Sequence, residues 1–497
     1  MTERRTEARL SRLASADALD RLPWPEHVNN GEEGDYPYVA NFSKGLPHDE
    51  VGEVRPEAYN TLLRALATGR PEDFERIPVG PGVKLTNPQA GLAFDLEGPD
   101  PQALAVPPVP RIDSARHSAE AVELYWMALT RDVPFAEYDG HPLIAQAAAE
   151  LSRLSDYRAP KVDGRVTPAT IFRGGTRGDL RGPFLSQFLL RDIQYGTLRI
   201  PQLHDRVRPN RDYLTRFDAW RAVQEGASTP PIERDHVVRR YLHNARALTN
   251  YVHFDALYEA YLNAALILLD LGAPVDPGNP YRHSANQVGF GTYGAPHLLS
   301  LVTEVATRAL KAMWFQKWFV HRRMRPEAFG GRVHAHLSGL RDYAMIDREV
   351  LDSEAVKLSH DKHGSYLLPQ AFPEGSPAHP SYGSGHATVA GACVTVLKAW
   401  FDESWVLPSP VAPDATGTAL VPYTGGDALT VGGELDKVAA NVATGRNMAG
   451  VHWRSDFTES VLLGEAVGIG VLRDHVRVNH EAASFGLTRF DGRRITI

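Results

Sequence analysis

Three short segments in the second half of the 497-residue chain gather cations, imidazoles and hydrogen-bonding groups at spacings that suit a bound tetrahedral anion. The first, Lys317-Trp318-Phe319-Val320-His321-Arg322-Arg323-Met324-Arg325-Pro326, closes a long stretch of helical apolar spacing. Pro326 disfavours helical geometry at Arg325, so the helix is expected to end or bend there. On an ideal helix Lys317 and Arg325 lie about 80° apart, close enough for two long side chains to converge on one pocket. A basic helix end complementing its own dipole would read the same way.

The second segment is His379-Pro380-Ser381-Tyr382-Gly383-Ser384-Gly385-His386-Ala387-Thr388. Ser384 and Gly385, opening an apolar helix, offer unpaired backbone N–H groups beside a hydroxyl, the parts of an oxyanion site. His386 in the first turn is placed to give or take a proton there. A serine N-cap followed by a packed histidine is the plainer alternative. The third segment is Gly445-Arg446-Asn447-Met448-Ala449-Gly450-Val451-His452-Trp453-Arg454-Ser455-Asp456. Arg446 and His452 flank a short loop, and Asp456, one turn after His452, suits orienting its imidazole. A helix cap with a surface His–Asp pair is the alternative here. Each segment is ambiguous singly; the set of cations, directional donors and imidazoles on helix ends is not.

Lys-x7-Arg-Pro, then Ser-Gly-His, then Arg-x5-His-x3-Asp, in that order, resembles the signature of the vanadium-dependent haloperoxidases and the related phosphatidic-acid-phosphatase-type acid phosphatases. The seven-residue gap between Lys317 and Arg325, and His379 seven before His386, resemble the algal and cyanobacterial bromoperoxidase type. So do His27-Val28-Asn29-Asn30-Gly31-Glu32-Glu33, Phe42-Ser43-Lys44-Gly45-Leu46-Pro47-His48 and Leu298-Leu299-Ser300-Leu301-Val302-Thr303-Glu304-Val305. The resemblance implies a vanadate cofactor whose equatorial oxygens are held by Lys317, Arg325, Arg446, the Ser384 hydroxyl and the Gly385 N–H. His452 would be the metal ligand, with Asp456 orienting it and Trp314 standing one turn before Lys317. His386 would act as acid and base, Lys317 would polarise bound peroxide, and His379 would bias the halide preference.

The substrates implied are hydrogen peroxide, a halide (bromide, with iodide and chloride also admitted) and a small electron-rich organic molecule. Some members of the type bind a structural calcium ahead of the long helix, and members form dimers or dodecamers. Two other functions fit the same residues. One is a phosphomonoesterase with His452 as nucleophile and His386 as general acid; the other is a non-enzymatic oligomeric scaffold with a vestigial anion pocket. Gly445 and Gly383 depart from the family pattern, where serine precedes the arginine and proline precedes Ser-Gly-His. The first departure removes a hydrogen bond, and the second is expected to loosen the approach to the helix.

The elements that must position these residues are mainly α. Apolar spacing predicts helices over 116–130, 142–155, 183–192, 235–248, 254–271, 296–325, 384–401, 435–444 and 455–476. A hairpin is expected over 420–431, so the class is mainly α, a helical bundle of the haloperoxidase/acid-phosphatase type with small β-hairpins. Prolines crowd 77–112, which reads as an extended arm laid over a surface or a partner subunit. The Glu225–Pro231 stretch suggests a division into an N-terminal packing and assembly region, 1–230, and a C-terminal catalytic region, 231–497.

Composition narrows the classes further. Fifty-three Lys+Arg against sixty Asp+Glu, net −7, argue against a nucleic-acid or membrane-surface binder. One cysteine, Cys393, excludes an internal disulfide framework and cysteine-rich metal sites. No signal peptide is visible at Met1-Thr2-Glu3-Arg4-Arg5, so a cytoplasmic protein is expected. Gly289-Phe290-Gly291-Thr292-Tyr293-Gly294 matches a dinucleotide fingerprint but has no βαβ unit around it. His334, His336, His360 and His363 have metal-like spacings without a third ligand.

Overall fold

The computed structural model describes residues 2–497. Helix α1 (Ala115–Leu129) begins where the Ser114 hydroxyl accepts from His117 N, and α2 (Pro142–Arg153) begins on a proline with no N–H to satisfy. Asn244 caps α3 (Ala245–Phe254) by accepting from Ala247 N, and the apolar α4 (Glu259–Asp270) follows. The long α5 (Ala295–Phe315) leads towards α6 (Pro326–Leu337), which again opens on proline. Helices α7 (Gly385–Trp400), α8 (Val431–Met448) and α9 (Arg454–Val478) complete the bundle.

Buried along nearly its whole length, α7 packs against α5, α8 and α9. Its crossing with α9 is close enough to require glycine. A Cβ on Gly464 would lie 1.9 Å from Thr388 O, and one on Gly391 would lie 2.1 Å from Val461 O. That contact sets the N-terminus of α7 beside the first turns of α9, where the site forms.

Strands occur as antiparallel pairs: Ile193–Tyr195 with Leu198–Ile200, His204–Val207 with Arg234–Arg240, Val411–Pro413 with Leu420–Pro422, and Gly486–Thr488 with Arg494–Thr496. The architecture is mainly α with small hairpins. One principal core draws on Trp126 and Leu189 as well as Val389 and Leu435, and a strand pair bridges the Pro230-Pro231 stretch. The proline-rich arm lies over its own chain: Val106, Val109 and Ile112 enter the core, and Asp95 pairs with Arg308 and Lys311 of α5. Among the described residues no helix is long and apolar enough to cross a membrane.

Several elements differ from expectation. The 183–192 stretch holds only a short 3-10 turn, Gln187–Leu189, because the Ser186 and Gln187 N–H groups donate to Asn441 and Glu434 side chains, each at 2.8 Å. Within 235–248 the chain is a strand, Arg234–Arg240, around β-branched Val237 and Val238, and the helix waits for the Asn244 cap. The expected 420–431 hairpin pairs backwards instead, with Val411–Pro413, and Gly425-Gly426 leads into α8.

Candidate active site

Helix α5 does not run to Arg325. Residues Gln316–His321 widen into a π-helical turn, and Arg322 is left-handed at φ 42, ψ 36. Lys317 therefore sits in the π turn and Arg325 is the extended N-cap residue of α6. The two converge through a chain reversal, not along one helix face. Both are fastened to the same loop: Lys317 Nζ donates to Pro380 O at 2.9 Å, and Arg325 Nε donates to His379 O at 2.8 Å. A π turn that re-aims side chains is a frequent feature of functional sites. Trp314, one turn earlier, lies against His379 with ring centroids 5.0 Å apart, and Lys317 Nζ is 5.4 Å from its ring centroid.

Ser384 caps α7: its hydroxyl accepts from Ala387 N at 3.3 Å and its N–H donates to Ser460 Oγ at 2.8 Å. The Gly385 and His386 N–H groups fall in the first turn, where a helix supplies no acceptor of its own. His386 Nε2 lies 3.0 Å from Asp255 Oδ1, just past the end of α3. The approach through Gly383 is packed, not loose. Its N–H donates to Met313 Sδ, and a Cβ there would lie 2.0 Å from Ser460 Oγ.

Arg446, near the end of α8, donates through Nη1 to Val252 O at 2.8 Å and lies 5.6 Å over the Phe372 ring. Its Nε is buried without a partner. Gly445 has a packing reason, since a Cβ there would press on Val252 and Leu248 of α3 at 3.1 to 3.2 Å. His452 Nδ1 is 2.8 Å from Asp456 Oδ2, and Arg325 Nη1 is 3.0 Å from His452 Nε2. Asp456 also accepts from Trp453 N at 3.0 Å, from Arg323 Nη1 at 2.7 Å and from the Ser381 hydroxyl. With Nδ1–H given to the carboxylate, the Nε2 lone pair faces the cations.

The electrostatics are those of an anion site. Lys317, Arg325 and Arg446 are 0%, 1% and 6% exposed. Among the described residues none of the three has a carboxylate within ion-pair distance. Burial first, then Arg325 and Arg446, push the Lys317 ammonium far below its ordinary value. Burial likewise pushes Arg325 down to about 9, Arg446 adding to it, and burial lowers Arg446 to about 10. His379 and His452 are held neutral well below the usual imidazole range, by burial and then by the neighbouring cations. His379, His386, Arg446 and His452 line a cavity of about 320 Å³ with Trp314, Leu257 and Leu310 on its apolar side, and Lys317 and Arg325 stand behind that lining, against Trp314 and His379.

A family model described as the VCPO second helical-bundle domain matches residues 297–480, the stretch that carries α5 to α9. The vanadium-dependent bromoperoxidase of Corallina officinalis is 38% identical to this chain, over 97% of it and 94% of its own length. The vanadium-dependent bromoperoxidase of Ascophyllum nodosum is 36% identical, over 100% of this chain and 92% of its own. The chain belongs to the vanadium-dependent bromoperoxidase family. A solved structure of a second, homohexameric vanadate-dependent bromoperoxidase from Ascophyllum nodosum superposes with a TM-score of 0.94 at 30% identity, covering 100% of this chain and 90% of that one. The bromoperoxidase fold thus includes the N-terminal arm as well as the bundle.

Of the residues that the family motif singles out, Trp314, His379, Gly385, His386, Arg446 and His452 line this one cavity, and Lys317, Arg325, Ser384 and Asp456 stand behind them, each packed on, bonded to or adjacent to a lining residue. Asp255, Arg323 and Ser381 were not singled out. No local pattern marks Asp255, which is 131 positions from His386. Arg323 was hidden in a run of arginines, of which it alone faces Asp456 and Glu120. The Gly289–Gly294 stretch is a turn before α5 with no strand pair feeding it. His336 pairs with Asp342, His360 stacks on Tyr366, and among the described residues no group of three or more His, Cys, Asp or Glu side chains is arranged to hold a metal ion.

Proposed function

We propose that this chain oxidises bromide with hydrogen peroxide at a vanadate held in the 320 Å³ cavity. The observation that carries the reading is three buried cations gathered about His452, Arg325 at 3.0 Å from its Nε2, with no carboxylate within ion-pair distance of any of them among the described residues. The orphaned Arg446 Nε and the acceptor-free N–H groups of the α7 first turn fit the oxygens of such an anion. Lys317, Arg325 and Arg446 would hold those oxygens with the Ser384 hydroxyl and the Gly385 N–H. His452 would ligate through Nε2, because Asp456 occupies Nδ1. Bound vanadate supplies Lewis acidity that makes peroxide electrophilic without a change of metal oxidation state.

The net reaction, bromide plus peroxide plus a proton giving hypobromous acid and water, consumes one proton. His386 is the residue to deliver it. Asp255 engages Nε2, leaving Nδ1 as the nitrogen that exchanges a proton with the cavity. Lys317, fully buried, would donate its N–H groups to bound peroxide and withdraw charge from it. His379 is fixed by Arg325 Nη2, 2.8 Å from its Nδ1, and so presents a neutral ring to the halide. The hypohalous product then halogenates a small organic acceptor.

The homohexamer of the solved relative supports self-association of this chain. Sedimentation velocity would distinguish a hexamer from the dimer or dodecamer that the family resemblance offers. The test of function is paired: bromination of a dimedone-type acceptor with vanadate and peroxide, beside aryl-phosphate hydrolysis without vanadate. Vanadate-dependent bromination lost in His452→Ala is the expected result. No bromination, with strong phosphatase activity that disappears in His452→Ala, would replace this reading with a phosphomonoesterase.

A further inference from the structure

The cavity is wider and more apolar than an oxyanion alone needs. Its volume of about 320 Å³ falls in the range of sites that take small organic molecules. Leu257, Leu310 and Trp314 line it and are only half-buried, and Pro377 joins them on the wall. Apolar side chains left part-exposed around a cavity are surface that a flat aromatic ring can cover.

At the mouth stands a carboxylate that takes no part in the roles above. The Glu374 side chain is 40% exposed, while Lys317, Arg325 and Arg446 are buried. His253 Nε2, at the end of α3, lies 3.0 Å from Glu374 Oε1, and its ring lies flat on Phe372, centroids 3.8 Å apart. Among the described residues Glu374 Oε2 has no side-chain partner. The rim beneath it is fixed: the Glu374 carbonyl accepts from Lys44 Nζ at 2.5 Å, and that ammonium pairs with Glu327 Oε1 at 2.6 Å. The other Glu327 oxygen accepts from Ser376 N at 2.8 Å. Burial works against the Glu374 charge, yet the bond and charge of His253, with Lys44 behind, hold its carboxyl below its ordinary value.

Glu374 and His379 are five residues apart along one rim, and Trp314 packs on His379, so the carboxylate and the apolar wall border the same opening. The carboxylate is compatible with an anion held deeper, since its charge favours that of Arg446. The three buried cations spend their charge on that anion, and Asp255 is buried against His386. What an arriving organic molecule meets is therefore an apolar wall beside one fixed negative charge. We propose that the mouth of the cavity is a binding subsite for cationic arylalkylamines: the ring of an electron-rich phenol covers Leu257, Leu310 and Trp314, and its ammonium donates to Glu374 Oε2. The bound acceptor exchanges a ring C–H for C–Br, and the displaced proton leaves as water with the hydroxide of hypobromous acid. This step rests on the bromoperoxidase reading above; the binding does not. The subsite sets a preference, and other acceptors react with hypobromous acid that leaves the cavity.

Tyramine, 4-ethylphenol and 3-(4-hydroxyphenyl)propionate share one phenol ring and carry a cationic, a neutral and an anionic tail. The test is calorimetric titration of each into the full chain, once loaded with vanadate in the absence of peroxide and once with inorganic phosphate in its place. Tyramine should bind about tenfold more tightly than 4-ethylphenol, and the propionate most weakly. In Glu374→Gln, an isosteric change on a part-exposed side chain, tyramine should fall to the level of 4-ethylphenol while 4-ethylphenol itself is unchanged. Leu257→Ala should weaken all three by about threefold. Equal dissociation constants for the three in the unmodified chain overturn the subsite, as does a tyramine preference that survives Glu374→Gln. In turnover with bromide and peroxide, tyramine should outcompete 4-ethylphenol by more than it does with free hypobromous acid, and an equal ratio overturns the role of the subsite in the reaction. Absence of vanadate-dependent bromination in the unmodified chain overturns the bromoperoxidase reading, while the phosphate-loaded titrations still decide the binding.

Discussion

Asp255 Oδ1 lies 3.0 Å from His386 Nε2, and the Asp255 side chain is 3% exposed. A buried carboxylate that fixes one ring nitrogen leaves the other as the working one and keeps the ring from turning. Asp255→Ala should therefore lower kcat for bromination by about tenfold to a hundredfold while leaving vanadate affinity within about threefold. Steady-state bromination and vanadate titration on the same preparation measure both. A fall in affinity as large as the fall in kcat would mean that Asp255 builds the anion site instead of orienting the acid.

Asp456 carries two burdens at once, orienting His452 and neutralising Arg323. Asp456→Asn should weaken vanadate binding by about tenfold to a hundredfold. It should also cost about 3 kcal/mol of stability, because the one carboxylate left in ion-pair contact with buried Arg323 among the described residues is Glu120, at 3.3 Å, beside the neutral Ser455 hydroxyl at 2.8 Å. Urea unfolding without vanadate reads the second effect, and equilibrium titration reads the first. Loss of binding without loss of stability would show that Glu120 alone suffices for Arg323.

The cations, donors and imidazoles of the site were legible because each belongs to a short segment at a helix end, where capping and proline rules act locally. His452 and Asp456, one turn apart, are the clearest case. The convergence of Lys317 and Arg325 was legible, but not its cause, since a π turn and a left-handed Arg322 leave no periodic trace in the residues. Asp255, Glu374 and Lys44 were not legible in their roles, because each meets its partner only through tertiary packing. The strand at Arg234–Arg240 was misread for a related reason: its partner, His204–Val207, lies beyond a helix and a proline pair, and pairing overrode local spacing.

His321 is buried with both ring nitrogens unpartnered, packed edge-on against Tyr382. Burial, then Arg322 and its neighbours, push its pKa down to about 3, whereas in the unfolded chain it titrates near the ordinary imidazole value of 6.5. Below that value the unfolded chain binds the extra proton, so the contribution is intact above about pH 6.5 and lost progressively as pH falls towards 3. At pH 5 the loss is about 2 kcal/mol for this group alone. His48 and His204, lowered to about 4 chiefly by burial, act in the same direction. Urea unfolding at pH 8 and pH 5 should therefore show marked acid destabilisation, with His321→Phe gaining about 2 kcal/mol on the unmodified chain between the two. Parallel losses in both proteins would assign the acid sensitivity elsewhere.

Arg446 separates stability from function most sharply. It holds a buried charge with one carbonyl partner, an idle Nε and an aromatic face; Asp255 and Glu374 favour the charge from a distance, and among the described residues no carboxylate lies within ion-pair reach. Replacing such a charge with an apolar side chain of similar volume removes a desolvation cost that only an anion offsets. Arg446→Leu should accordingly raise the anion-free stability by about 1–2 kcal/mol, less than a full relief because Val252 O loses its donor. The unmodified chain should gain about 2.7 kcal/mol from inorganic phosphate at a hundredfold excess over its dissociation constant. In Arg446→Leu the same phosphate concentration should give a much smaller gain, because the affinity that drives it has fallen. Unfolding with and without phosphate measures all four states. An anion-free Arg446→Leu less stable than the unmodified chain would mean that the guanidinium is held by its packing on Phe372 more strongly than burial penalises it.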